Sequence, residues 1–112
     1  SSRPLANALL AAPSGTVVFD DQYYTFSSVV FYTNHQVLLL NGRVNNLEYG
    51  SNAPDAPHVF IGNNDLQRLW GLPERCYLLA EGPRVPAIRK ILSGEVLHVV
   101  AESGGKFLLA NR

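Results

Sequence analysis

The polar residues best placed to do chemistry are Asn41, Arg43, Asn45, Asn46 and Glu48, which directly follow an apolar run at residues 36–40. Amides, a guanidinium and a carboxylate together supply the donors and acceptors that suit sugar hydroxyls or a phosphate. The same asparagines, with the neighbouring glycines, also tolerate left-handed backbone and so can serve turn geometry. Residue type alone leaves both roles open. Position suits a ligand too, because residues 41–57 form the one long irregular stretch, and long loops in compact domains are often functional; ligand and turn roles weigh about evenly.

No other constellation assembles a reactive centre. Asp20 and Asp21 follow a short apolar run, where some phosphotransfer folds hold a metal. Those folds need further acidic and basic residues at set places, which are missing, so capping of a following helix is the expectation. His35, His58 and His98 each stand without a histidine at short range, and read as structural or surface residues. Cys76 is the only cysteine, which rules out an intrachain disulfide and a cysteine-based metal site. It sits in the apolar run 76–80, as a buried and inert thiol would. Ser103-Gly104-Gly105-Lys106 lacks the spacing of a phosphate loop and reads as a turn. A Gly-x-Ser-x-Gly elbow is absent. The sequence therefore predicts no catalytic residue, no metal site and no cofactor.

These side chains must be held by a single domain, since 112 residues is an ordinary length for one. Hydrophobic residues make up 46%, enough for a real core and against disorder. Charged residues are only 16%, below the roughly 25% of typical domains, so part of the surface is expected to face something other than water. Nine basic and nine acidic residues cancel. Arg84, Arg89 and Lys90 are the densest basic group and read as a solvated helix face, so nucleic acid is not expected as a partner. No apolar stretch approaches the ~20 residues of a membrane span. Without an initiator or any other methionine, the chain reads as a piece of a longer protein, with any anchoring segment upstream.

The elements follow from periodicity and punctuation. Residues 4–12 predict a short helix, with Pro4 in its first turn and Leu5, Leu9 and Ala12 on one face. Residues 16–19 and 36–40 are continuous apolar runs, as in strands buried on both faces. Two such strands imply a parallel pair joined by a helical crossover. Tyr23, Phe26, Val30 and Thr33 fall at helical spacing, so residues 22–33 are expected to be helical despite their β-favouring composition. Residues 58–61 predict a strand. A helix capped by Asn63-Asn64-Asp65 follows, with Leu66, Leu69 and Trp70 inward and Gly71 and Pro73 at its end. Residues 75–80 predict a strand, and Pro86 opens a helix with Ile88, Ile91 and Leu92 inward, closed by Gly94. Residues 97–101 and 106–110 predict a hairpin turning at Ser103-Gly104-Gly105. The whole is expected to be a small three-layer, Rossmann-like α/β domain with a mostly parallel sheet and an antiparallel edge hairpin. In such open sheets ligands bind beyond the carboxyl ends of strands, where residues 41–57 begin.

Several stretches also carry a resemblance. They are Val37-Leu38-Leu39-Leu40-Asn41-Gly42-Arg43-Val44-Asn45-Asn46-Leu47-Glu48-Tyr49-Gly50, Pro54-Asp55-Ala56-Pro57 and Asp65-Leu66-Gln67-Arg68-Leu69-Trp70, with Val29-Val30-Phe31-Tyr32 upstream. Over residues 19–79 the chain resembles the C-terminal tail of bacterial glycosyltransferases of the protein mannosyltransferase superfamily, which includes lipid A aminoarabinose transferases. The resemblance implies a noncatalytic accessory domain on the periplasmic face of the inner membrane, following the last span of a multi-spanning protein. The partners it implies are that membrane portion and a lipid-linked sugar or an acceptor. The family's catalytic acidic residues lie in the membrane portion, so none carries over onto this chain. A freestanding, small-ligand or protein-binding α/β module is the alternative. In either case the domain is expected to be monomeric.

Overall fold

Residues 3–20, 37–40 and 58–112 are described in the computed structural model, and within them the apolar runs form strands. The chain runs α1 (Arg3–Ala11), β1 (Thr16–Asp20), β2 (Val37–Leu40), β3 (His58–Ile61), α2 (Asn63–Gly71), β4 (Cys76–Glu81), a 3-10 turn (Gly82–Arg84), α3 (Val85–Ile91), β5 (His98–Ser103) and β6 (Lys106–Ala110). The strands form one sheet in the order β3-β2-β1-β4-β6-β5. β1 pairs in parallel with β2 and β4, and β2 with β3. β6 pairs antiparallel with β4 and β5. The mostly parallel α/β sheet with an edge hairpin is thus the architecture observed. The expected crossover helix at residues 22–33 lies outside the described residues, although β1 and β2 do pair in parallel as a crossover requires.

Alternation along each strand divides the apolar residues between two cores. Val17, Phe19, Leu39, Tyr77, Leu79, Leu108 and Ala110 join Leu5 and Ala6 of α1 on one face. Val18, Leu40, Cys76, Leu78, Ala80 and Leu109 join Leu66 and Trp70 of α2 with Ile88 and Leu92 at α3 on the other. A period of two sends successive side chains to opposite faces, so a strand that is apolar throughout must be covered on both. That is why β1 and β4 sit in the middle layer of three.

Local chemistry sets the element ends. The N-cap of α2 is Gly62, one position ahead of the expected asparagines. Asp65 closes the first turn instead, its Oδ2 accepting from the Gly62 N–H at 3.0 Å. That bond first, and then Arg68 at 3.0 Å, hold the Asp65 carboxyl below its usual range. The hairpin turns where expected, with Gly104 at φ 58° and Gly105 at φ 78°, the left-handed pair that a two-residue hairpin loop prefers. Gly15 serves a different need. A Cβ there would stand 2.6 Å from the Arg75 carbonyl oxygen, where the Thr16 N–H donates to that same carbonyl.

At the amino ends of β1 and β4 the fold is closed by one buried amide. Asn111 Oδ1 accepts from the Cys76 N–H at 2.9 Å, and its Nδ2 donates to the carbonyls of Trp70 and Glu74 at 3.1 and 2.9 Å. One side chain thereby ties the end of α2, the start of β4 and the exit of β6. The Tyr77 hydroxyl donates to the Pro13 carbonyl nearby, and Trp70 Nε1 donates to the Val96 carbonyl. Replacing Asn111 with Ala removes three hydrogen bonds and strands the Cys76 N–H. The expected loss in urea unfolding is roughly 2–4 kcal/mol, from the cost of unmade buried hydrogen bonds. A variant within 0.5 kcal/mol of the parent would show that the amide is dispensable.

Candidate functional site at the strand carboxyl ends

From β1 the chain moves outward to β2 and then β3, and it returns to the far side of β1 for β4. The connections leaving β1 and β4 therefore diverge, which makes the carboxyl ends of these two strands the topological switch point where open α/β sheets bind ligands. Asp20 ends β1 and Glu81 ends β4.

Asp20 is fully buried. Arg84 meets it from the 3-10 turn that follows β4, with Nε donating to Oδ2 at 3.0 Å and an Nη donating to Oδ1 at 3.1 Å. This two-pronged pairing holds the turn over the end of β1. The turn itself is set by Gly82, whose N–H donates to the Gly105 carbonyl at 2.7 Å, and by Pro83. Asp20 is the last residue of β1 and bonds to Arg84, while the following helix it is expected to cap lies outside the described residues. The expectation for Arg84 needs correction. Arg84 is only 28% exposed and bonded to a buried carboxylate, so it does not belong to the solvated face where Arg89 and Lys90 lie exposed. The two partners stand 64 positions apart, a distance at which no local pattern links them.

The sequence-predicted residues Asn41, Arg43, Asn45, Asn46 and Glu48 lie outside the described residues. What the structure gives is their point of departure. β2 ends at Leu40, which is in register with Asp20, so the chain enters this segment beside the switch point.

Among the described residues no three His, Cys, Asp or Glu side chains gather as a metal site would require. His98 lies exposed on the edge strand. Cys76 is buried and free, and burial pushes its thiol up to about 12. A thiol so far from ionisation is a poor nucleophile at neutral pH. Both Asp20 oxygens accept from Arg84, which ties the end of β1 to the turn after β4.

No protein-family model matches the chain, and no curated protein matches it in sequence. Solved structures do share its fold. ArnT from Cupriavidus metallidurans in the apo state is similar with a TM-score of 0.65 at 16% identity, over 99% of this chain and 20% of that one. The same protein bound to undecaprenyl phosphate is similar with a TM-score of 0.64 at 16% identity and the same coverage. At this identity the likeness is one of fold, and this chain spans about a fifth of ArnT's length.

Two measurements follow, one at the switch point and one at the buried thiol. Arg84→Leu leaves the Asp20 carboxylate buried without this partner, and breaking a buried pair typically costs about 3–5 kcal/mol. Because Arg84 is partly exposed, the lower end is expected in chemical unfolding. The double variant Asp20→Leu/Arg84→Leu should recover part of the loss, and additive losses would show that the pair is not coupled. Cys76 supplies the second. The folded thiol ionises near 12 while the unfolded thiol ionises near its ordinary value, ~8.5. Above that value the folded state holds more protons than the unfolded state, so stability falls as pH rises. The wild type should lose stability between about pH 9 and 11 more steeply than Cys76→Ala, by up to ~1.4 kcal/mol per pH unit. Parallel slopes would rule this out.

Proposed function

We propose that this chain is the noncatalytic accessory domain of a membrane glycosyltransferase that draws its sugar from a polyisoprenyl phosphate. In this reading the whole chain is one unit on the periplasmic face, attached after the last membrane span. The observation that carries the reading is the fold likeness to ArnT over 99% of the chain. One of the two ArnT structures is bound to undecaprenyl phosphate, a polyisoprenyl phosphate of the kind the resembled family uses as carrier. The sequence resemblance over residues 19–79 rests on the motifs quoted above and points to the same class of protein. No helix among the described residues is long and apolar enough to cross a membrane.

Within this reading Asn41, Arg43, Asn45, Asn46 and Glu48 form a polar surface directed at the membrane portion or at a lipid-linked sugar or acceptor. Their support is position, since the chain leaves β2 beside the switch point, and residue type, since they suit hydroxyls and phosphate. Arg43 is the strongest single contact for an anionic target.

The experiment is sugar transfer from a polyisoprenyl-phosphate donor, measured for the full-length protein and for the 112-residue chain. Transfer by the full-length protein and none by the chain is expected, and turnover by the purified chain would refute the accessory role. Arg43→Ala tests the surface. It should leave the melting temperature of the chain almost unchanged, because exposed ion pairs contribute only ~0–1 kcal/mol. It should lower full-length activity about tenfold or more, as loss of a charged hydrogen bond would. An early-melting variant with full specific activity would make the loop scaffolding.

A further inference from the structure

We draw no further inference here: the strongest candidate, the apolar rim along the outer sheet edge where Val96, Val99 and Val100 lie exposed on and before β5, is interrupted by the register shift between Val99 and Ala101, and nothing in the structure shows what covers it.

Discussion

Burial of β1 and β4 on both faces is the constraint from which the rest of the molecule follows. Every residue from Val17 to Asp20 and from Cys76 to Ala80 is buried, so neither strand has a side that can carry an unpaired polar group. Apolar residues meet this condition at every position but one. Asp20 brings a carboxylate into the same layer, and an isolated ionised carboxylate in such surroundings is very costly. Arg84 resolves the conflict because the 3-10 turn after β4 delivers a cation next to the strand that needs one. The buried carboxylate therefore needs a cation beside it at the switch point, whereas most other core positions need only suitable size and apolar character.

The same constraint divides the two ends of the sheet. At the amino ends the closures are backbone-directed and tight: the Asn111 amide, the contact of Gly15 with Arg75, and the Tyr77 hydroxyl on the Pro13 carbonyl. These bonds satisfy main-chain groups where helices end and strands begin, and they leave little room for change. At the carboxyl ends the described contacts are an ion pair and a glycine turn, and the chain departs from β2 beside them. The amide and glycine closures thus lie at the amino ends, opposite the carboxyl ends where open α/β sheets bind ligands.

Much of the architecture was legible because it rests on periodicity. The runs at residues 16–19 and 58–61 and the Gly104-Gly105 turn state their conformation locally, and Leu66 with Trp70, or Ile88 with Leu92, repeat at helical spacing. The buried Cys76 was legible for the same reason, being one member of an apolar run. The cap of α2 was displaced by one residue because Asp65 can reach back to Gly62 as readily as a cap can reach forward. The Asp20–Arg84 pair was not legible, since its partners meet only after the sheet has formed and neither carries a local sign of the other. An acidic residue closing an apolar strand is the one available signal, and it says that a partner is needed without saying which. The residues predicted from the segment after β2 stand on that segment's position and composition alone.

That contrast governs how far the likeness to ArnT reaches. Two chains with 16% identity and a TM-score of 0.65 share what a fold demands, which is the order of apolar runs and the turns between them. Those demands accept many residues at each position, so the backbone can persist while most side chains change. Polar residues outside the core are under no such demand, and a shared fold carries no information about them. Chemistry must then be argued from this chain's own groups. At the switch point Asp20 and Arg84 are engaged with each other, so in the proposed reading the recognition of an anionic or hydroxyl-rich partner falls to the residues that follow Leu40. The ion pair braces the end of β1, and Leu40, from which that segment departs, lies beside it in the sheet.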